Sequence, residues 1–550
     1  DPMTLASGVF RHGKSFIDAA SRKVLYYKDG KTSSIAAIAG TDGSVSIVTN
    51  GKPDAAIIIK DGVPPGPDEL TMTLAAVAPL SMMEKPDRVG VIGFGSGMTT
   101  HTLLGDPRVK HVDTIEIESA MIDGARIFGD RVARAYSDPR SNIVVEDAKA
   151  FFSSSKKYDL IISEPSNPWI NGVGSLFSKE FYQFVPRSLN ENGLFVQWIQ
   201  LYEINEELVG SIFNSLAPHF SDYSAWLSAT NDMLIIATPK GSLPKTDLSR
   251  LISTQGPLQA ELARLGIASQ EHLDFHRLAD SRILRAFGRM YGDLPLNSDY
   301  HPVLGLNAPR ARFLGASADA LGTLQAQETL MLEALGVRAP LPMSIQPVRF
   351  HHRVADDFTL RARTLAAELN GKGNAAESAA NADQRQVLSS ARLLTAAGAQ
   401  ACGRSWDAPS TRELSARMRE VAGLTNAFLP KEALEDIWVR RSWLACDIAR
   451  ADMHRVFQLL RVIAAKDWKS MVSAGTDWFE RPVEDVSIHN DFSDLARSAV
   501  LLGLAHAGQW QQLLDADKKF GASTRFSAPY LLQFEALRLI AREQLQTRPQ

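Results

Sequence analysis

The segment from Arg88 to Glu118, RVGVIGFGSGMTTHTLLGDPRVKHVDTIEIE, decides the fold of this chain. Val89 to Ile92 is an apolar run rich in β-branched residues, which is typical of a strand buried on both faces. Three glycines follow in the pattern G-x-G-x-G, and a helix can open at Met98. A second apolar run then reaches an acid at Glu116. In a doubly wound sheet such glycines let a ligand approach the backbone and such an acid binds ribose hydroxyls. We therefore predict a nucleoside site, and the alternative is a purely structural tight turn.

The length and the charge of this chain limit the classes of protein to which it can belong. A chain of 550 residues suggests about three domains of ordinary size. A hydrophobic fraction of 45% and a charged fraction of 22% are typical of a globular protein in water. The net charge of −3 and the lack of a basic stripe argue against a nucleic-acid partner. The histidines have no further ligands at metal spacing, so we expect no metal.

The cysteines and the apolar runs bear on the compartment. Cys402 and Cys446 are the only cysteines and lie far apart in the sequence, which favours a reducing compartment and excludes a disulfide scaffold. No apolar run reaches the roughly 18 residues of a membrane span. We therefore expect a soluble, cytoplasmic chain. Because Asp1-Pro2 precedes Met3, we expect it to be either an artificially shortened chain or the soluble part of a longer protein.

Residues 1–80 predict a small N-terminal β domain with a linking helix. Three β-prone runs, at 23–28, 33–38 and 44–49, are separated by Asp-Gly and Asn-Gly turn signals. A helix from about Leu70 to Leu80 follows a Pro- and Gly-rich loop. The pair Asp68-Glu69 before this helix has two interpretations, a helix N-terminus and nothing more, or acids of a binding site.

Residues 81–240 predict a Rossmann-like α/β domain, because short apolar strands alternate with helices. Glu116, Asp147 and Glu164 each end one of three successive strands, and the carboxyl ends of parallel strands share one edge of the sheet. We expect residues 241–325 to complete this core with helices. Residues 326–550 predict an all-helical C-terminal domain with tetratricopeptide-like spacing, interrupted by a loop at 370–383.

Several segments, taken in order, resemble the spermidine synthase family of aminopropyltransferases, which have the class I methyltransferase fold. They are YYKDGKTSSIAAI and VTNGKP, PDELTMTLAAVAPL, VIGFGSG, IEIE, YSDPRSNIVVEDAKAFF, and YDLIISEPSNPW with the strand that follows it. The resemblance covers about residues 20–240. It is closest to bacterial members in which such a domain follows membrane helices, and it therefore implies attachment to an inner membrane by a segment outside this chain.

The resemblance also implies roles for individual residues. Glu164 falls at the position of the catalytic aspartate and Glu116 would bind the ribose. The other implied nucleoside contacts are Gly93, Gly95, Ser96 and Gly97 in the turn, and Asp147 with Ala148 at the adenine. The implied co-substrate is decarboxylated S-adenosylmethionine or S-adenosylmethionine itself, the implied acceptor is a polyamine, and the family implies a homodimer.

The chain also departs from the family pattern. Ser96 replaces the turn aspartate that holds the aminopropyl ammonium, and Asn167 replaces the second acid of the D-x-x-D loop. Asp68, Glu69 and Asn167 are the remaining candidates for binding the polyamine. Three functions therefore stay open: an aminopropyltransferase, a transferase or lyase that uses intact S-adenosylmethionine, and a non-catalytic nucleoside-binding scaffold.

Overall fold

A computed structural model describes residues 6, 21–229, 231–252, 256–326, 328–348, 354–372, 382–524 and 528–547. Its contacts divide the chain into two compact units, Asp1–Asp319 and Ala320–Gln550. The first is an α/β unit and the second is a helical unit. The four-part division expected from the sequence stays a prediction, and most of the loop expected at 370–383 lies outside the described residues.

The α/β unit begins with a four-stranded antiparallel sheet in which each strand pairs with the next along the chain. Its strands are β1 (Arg22–Asp29), β2 (Ser34–Gly40), β3 (Ser44–Thr49) and β4 (Lys52–Ile58). The turn between β3 and β4 has positive φ angles at Asn50 and Gly51, +48° and +78°. A two-residue hairpin turn of this kind needs positive φ at both positions, and Asn-Gly is its preferred sequence.

Helix α1 (Pro67–Met82) connects the small sheet to the large one. All but two of its residues are buried. A helix that is apolar on every side is stable only inside a core. Its N-terminus is closed by the Glu69 side chain, which accepts from the Gly66 N–H.

The large sheet has eight strands in the order β12-β10-β11-β9-β8-β5-β6-β7. Its strands are β5 (Arg88–Ile92), β6 (His111–Glu116), β7 (Ser141–Val145), β8 (Tyr158–Ser163), β9 (Leu189–Gln200), β10 (Asp222–Ala229), β11 (Asp232–Thr238) and β12 (Arg277–Asp280). Five neighbouring strands run parallel, in the sheet order β9, β8, β5, β6 and β7. Strand β11 is antiparallel to both β9 and β10. This is the arrangement of a class I methyltransferase-like fold, so the predicted fold class is confirmed. Strand β12 was not expected, because four residues carry too little periodicity to separate a strand from the surrounding helices.

Helices cover the large sheet. They are α2 (Met98–Leu103), α3 (Ser119–Ala125), α4 (Ala133–Ser137), α5 (Ala148–Phe152), α6 (Lys179–Phe184), α7 (Glu206–Leu216), α8 (Ser249–Ile252), α9 (Pro257–Arg264), α10 (Gln270–Asp274), α11 (Ser281–Met290) and α12 (Val303–Phe313). Strands β5, β6, β8 and β9 all end at the same edge of the sheet, since they run parallel. The loops at that edge carry the candidate site residues.

The described part of the helical unit consists of helices and connecting turns. Its helices are α13 (Asp319–Ala326), α14 (Met331–Ala334), α15 (Val354–Leu369), α16 (Ala382–Gly403), α17 (Ala408–Thr425), α18 (Lys431–Glu435), α19 (Ala451–Ala464), α20 (Trp468–Glu480), α21 (Val486–His506), α22 (Trp510–Gly521) and α23 (Ala528–Thr547). Helices α20 and α21 pack closely, because a Cβ at Gly503 would lie 2.3 Å from the Trp468 carbonyl oxygen. Over the described residues we find no helix with both the length and the apolar character of a membrane span.

The cysteine prediction is wrong. Cys402 at the end of α16 forms a disulfide with Cys446, which lies in the segment before α19, and their Cα atoms are 5.8 Å apart. The two residues are 44 positions apart in sequence, but the packing of the helices brings them together. The argument from unpaired cysteines to a reducing compartment therefore no longer holds, since disulfides persist mainly in oxidising compartments.

We predict that the disulfide stabilises the helical unit. Reduction, or the double variant Cys402→Ser/Cys446→Ser, should lower its free energy of unfolding by about 2–4 kcal/mol, because the unfolded chain regains the entropy of an open loop. Calorimetric unfolding with and without reductant measures the change. The double variant is the control and should not respond to reductant. Identical transitions for the oxidised and reduced protein would contradict the prediction.

Candidate active site

The glycine turn after β5 is shaped by a close approach of two backbones. Gly93 has a φ of +95°, and a Cβ there would lie 2.3 Å from the Glu164 carbonyl oxygen. Gly95 also has a positive φ, +51°, and a Cβ there would meet nothing within 4 Å. Gly97, at φ +84°, precedes the first residue of α2. The turn therefore needs glycine for its conformation, and at Gly95 it leaves room for a ligand to approach the backbone.

Glu116 ends β6 beside this turn. Its two carboxylate oxygens accept from the backbone N–H groups of Phe94 and Glu118, each at 2.9 Å. Burial raises the pKa of Glu116, and the two backbone donors oppose that shift. A carboxylate has about four acceptor sites, so Glu116 can still accept from a hydroxyl in addition to its backbone N–H donors. The structure thus holds Glu116 in a defined orientation at the predicted ribose position.

Glu118, the second acid of IEIE, attaches the small sheet to the large one. Its Oε2 accepts from the Thr32 backbone N–H at 2.8 Å and from the Thr32 hydroxyl at 2.9 Å. Its Oε1 accepts from the Ala120 N–H at the start of α3. The hairpin between β1 and β2 is therefore fixed beside Glu116 by this carboxylate.

The predicted adenine contacts lie at the same edge of the sheet. Asp147 is exposed and caps α5 by accepting from the Ala150 N–H at 2.9 Å. Ala148 is the first residue of that helix and is buried. The N–H of Glu146 donates to the Glu116 carbonyl oxygen at 3.1 Å, which sets this loop beside the end of β6. Their role at the adenine stays a prediction.

Ser96 faces the protein interior. It is fully buried, and its hydroxyl donates to the Met72 sulfur at 2.9 Å. The Met98 N–H donates to the same hydroxyl at 3.3 Å. The turn position where the family resemblance implies an aspartate is therefore neutral and packed against α1.

Glu164 follows β8 and is held there by its backbone N–H, which donates to the Ile92 carbonyl oxygen at 2.9 Å. Burial raises the pKa of its carboxyl from 4.5 to about 7, the Thr99 hydroxyl opposes the shift, and the charge of Asp232 adds to it. A carboxyl with a pKa near neutrality can exchange a proton at physiological pH, which is what a general base requires.

Asp68 and Glu69, adjacent in sequence, have different surroundings. Asp68 Oδ2 accepts from the Ala56 N–H at 2.8 Å. Burial raises its pKa from 3.8 to about 7, and Asp232 adds to the shift. Glu69 is fully buried and pairs with Arg131 at 2.8 Å and with Arg264. The structure therefore brings Asp68 toward Asp232, whereas the Glu69 carboxylate closes α1 and binds two arginines.

Three further charged residues complete the site, and sequence reasoning missed them. Asp232 begins β11 and accepts from the Trp198 indole N–H at 3.1 Å and from the Thr71 hydroxyl at 3.3 Å. Lys52 is 5% exposed, and its ammonium lies 3.2 Å from Asp54 Oδ1. Below, Asp54, Asp68, Glu164 and Asp232 are called the acid cluster.

Alternation along β4 could have identified two of these residues. Lys52 and Asp54 are two positions apart, and their ion pair shows that both side chains lie on one side of β4 although the register shifts at Asp54. The Ser166 hydroxyl donates to Asp54 at 2.7 Å, which connects β4 to the loop after β8. No local pattern marks Asp232, because a single acid before an apolar strand is also a common turn residue. In the same loop, Asn167 is fully buried beside the Tyr202 hydroxyl.

Part of this chain is similar in sequence to known proteins. Residues 71–233 match the spermine/spermidine synthase domain. The polyamine aminopropyltransferase of Caldicellulosiruptor saccharolyticus is 31% identical over 148 residues, which is 27% of this chain and 53% of that protein. The Yersinia pestis polyamine aminopropyltransferase is 30% identical over 153 residues, or 28% of this chain and 51% of that protein. This match lies within the α/β unit and confirms the resemblance to the spermidine synthase family that was drawn from the sequence.

The matches have a limited extent. The chain spans about half the length of the curated relatives it matches. Among solved structures, a spermidine synthase in complex with the transition-state analogue AdoDATO aligns with 44% of this chain and 89% of its own, at 18% identity and a TM-score of 0.34. A probable spermidine synthase from Corynebacterium glutamicum aligns with 50% and 97%, at 16% identity and a TM-score of 0.36.

We predict that Glu116→Gln weakens the binding of 5′-methylthioadenosine by about 1–3 kcal/mol, because charge-assisted hydrogen bonds to the ribose are lost. Isothermal titration calorimetry measures the affinity, and thermal unfolding verifies that the variant is folded. Glu146→Gln removes an exposed carboxylate from the same edge and is the matched control. If the nucleoside binds the Glu116 variant and the parent equally well, the ribose assignment is wrong.

We also predict a pH-dependent effect of Asp68→Asn, which keeps an oxygen for the Ala56 N–H. Because the pKa of Asp68 is raised in the folded protein, ionisation of its carboxyl lowers the free energy of unfolding. This loss is absent below the unfolded pKa of 3.8 and complete above a pH of about 7. The difference in free energy of unfolding, variant minus parent, should therefore be about 1–3 kcal/mol larger at pH 8 than at pH 5. Urea unfolding at both pH values tests this, with Asp147→Asn as the exposed control. An equal effect at the two pH values would disprove it.

Proposed function

We propose that the α/β unit is an aminopropyltransferase that moves the aminopropyl group of decarboxylated S-adenosylmethionine onto a nitrogen of a small polyamine such as putrescine. The observation that carries the proposal is the position of Glu164. Its backbone carbonyl lies against the glycine turn, and its carboxyl, with a pKa of about 7, is close enough to Asp232 for the charge of that acid to act on it. The match of residues 71–233 to the spermine/spermidine synthase domain supports the same reaction.

The proposed step is a displacement at the carbon beside a sulfonium. A bond forms between the acceptor nitrogen and that carbon, the carbon–sulfur bond breaks, and sulfur keeps the electron pair to become the neutral thioether of methylthioadenosine. The attacking amine must be neutral, and the nitrogen carries an extra proton once it is alkylated. Glu164 orients the amine and accepts that proton.

The rest of the site would supply alignment and charge. Glu116 would hold the nucleoside by its ribose, so that the reacting carbon lies at a fixed distance from Glu164. Asp68 and Asp232 are half-buried carboxylates that favour a cation, because an ammonium beside them lowers the cost of their ionisation. A bound polyamine should therefore lower the raised pKa values of these acids.

A second candidate function is a transferase or lyase that uses intact S-adenosylmethionine. The neutral, buried hydroxyl of Ser96 favours it, because an aspartate at this turn would repel the carboxylate that only the intact donor carries. Calorimetry with the two donors distinguishes the candidates by which one binds more tightly. A protein that binds neither donor would be a scaffold with a vestigial site.

We make separate proposals about the oligomeric state of the protein and its location in the cell. The family resemblance favours a homodimer and a cytoplasmic domain attached to an inner membrane by a segment outside this chain. The Cys402–Cys446 disulfide favours an oxidising environment for the helical unit instead. Localisation of a fluorescent fusion, together with thiol labelling of the protein isolated from cells, separates these two possibilities.

We predict that Glu164→Gln lowers turnover by roughly 100-fold or more, because the amide keeps the size of the side chain but cannot accept the proton. Methylthioadenosine affinity should barely change, since the nucleoside is held elsewhere. In the parent, kcat/KM should rise with pH through about 7 as Glu164 loses its proton. Mass spectrometry of the product, with putrescine or spermidine as acceptor, measures turnover.

The control for this experiment is Glu191→Gln, which removes an exposed carboxylate from the beginning of β9. Unchanged turnover in the Glu164 variant would exclude Glu164 from the mechanism. A parent that transfers nothing from either donor would exclude the aminopropyltransferase proposal as a whole.

A further inference from the structure

Lys52 is an ammonium that the fold itself places inside the acid cluster. Burial works against its charge, but Asp54, Tyr202 and Asp68 outweigh that effect, and the pKa of Lys52 lies above its ordinary value of 10.5. A buried ammonium is costly unless it is paired. Its one direct ion pair among the described residues is with Asp54 Oδ1, at 3.2 Å.

Two neighbouring carboxylates have no such partner. Over the described residues, no lysine, arginine or histidine nitrogen forms an ion pair within 4.0 Å of Asp68 or Asp232. Their hydrogen-bond donors are neutral groups, namely a backbone N–H for Asp68, and an indole N–H and a hydroxyl for Asp232. The charge of Lys52 nevertheless acts on both acids. One resident cation therefore faces more negative charge than it can neutralise.

A buried amide provides independent evidence for a ligand at this place. Gln200 is fully buried, and neither its oxygen nor its nitrogen forms a hydrogen bond with any residue that the structure describes. It lies directly opposite Asp232 in the pairing of β9 with β11. Residues opposite each other in an antiparallel pair project from the same face of the sheet. Leaving a buried amide unpaired is expensive, so this group indicates a binding partner that the protein does not supply.

We propose that Lys52 limits the number of charged nitrogens that the site can accept, so that the site binds a diamine in preference to a triamine. This inference rests on the proposed aminopropyl transfer. The attacking nitrogen is neutral at Glu164, and the second nitrogen of a diamine is an ammonium that Asp68, Asp232 and Gln200 can bind. A triamine brings one more cation. The remaining acid is Asp54, which Lys52 already holds, and the lysine repels a second cation there.

Asp54 is the acid that an additional ammonium of the acceptor would bind if Lys52 were absent. Asp54 Oδ1 accepts from Lys52 and from the Ser166 hydroxyl, whereas Oδ2 is buried and has no hydrogen-bond partner in the described part of the chain. Without the lysine, Asp54 would be a third unpaired carboxylate in reach of a longer amine. Lys52 is thus a specificity-determining residue, and it takes part in no bond-forming step.

The test compares kcat/KM for putrescine and for spermidine in the parent and in Lys52→Met. The parent should prefer putrescine. In the variant the ratio of spermidine to putrescine should rise by roughly tenfold, because Asp54 becomes available to the additional ammonium and the repulsion is gone. Lys52→Gln, which can still donate to Asp54, should shift the ratio in the same direction by less, and it serves if the methionine variant does not fold.

A double variant and a surface control complete the design. Lys52→Met/Asp54→Asn should return the ratio toward that of the parent, because the acid that would bind the extra ammonium has also been removed. Lys60→Met removes an exposed lysine from the chain after β4 and should leave the ratio unchanged. Calorimetry of both amines in the presence of methylthioadenosine gives a binding readout that does not depend on turnover.

The outcomes separate this inference from the proposed function. A parent that prefers spermidine, or folded Lys52 variants with the parental ratio, would overturn the role of Lys52 while leaving aminopropyl transfer intact. A rise that persists in the double variant would also overturn it, since Asp54 would then not be the acid involved. A parent that transfers to neither amine with either donor would remove the proposed function, and the inference with it.

Discussion

Where β5 and β8 end side by side, the backbone at Gly93 passes so near the Glu164 carbonyl oxygen that a Cβ would come within 2.3 Å of it. Only glycine allows this approach, and its φ of +95° is one that other residues rarely adopt. The contact sets the distance between the glycine turn after β5 and the acid that follows β8. A side chain at this position would force the turn away from β8 and separate the two halves of the site.

The site concentrates negative charge where the protein supplies little compensation. The contrast between Asp68 and Glu69 illustrates this. The buried Glu69 carboxylate is neutralised by Arg131 and Arg264 and so contributes to the stability of the fold. The Asp68 carboxylate receives one backbone N–H, and its pKa rises to about 7. Uncompensated charge of this kind lowers stability and is found where a ligand is to provide the missing partner.

The helical unit shows a different limit of sequence reasoning. Distance along the chain suggested that Cys402 and Cys446 would stay apart, but helix packing brings them into a disulfide. Contacts between helices depend on which faces meet, and those faces are set by close approaches such as the one at Gly503. A 3.6-residue pattern identifies the helices and their apolar sides, but it does not identify which helix each side packs against.

The sequence by itself determined the α/β class, the glycine turn, and the placement of Glu116 and Glu164 at strand ends, because each of these follows from short-range patterns. An apolar run predicts a strand, glycines permit the turn, and parallel strands align their carboxyl ends. The sequence could not separate the roles of Asp68 and Glu69, since two adjacent acids at a helix N-terminus cannot be distinguished until their partners are known. Only the tertiary structure brought Lys52, Asp54 and Asp232 together with Glu164. These residues come from β4, β11 and the loop after β8, and electrostatic interaction depends on distance in space, which local sequence does not encode.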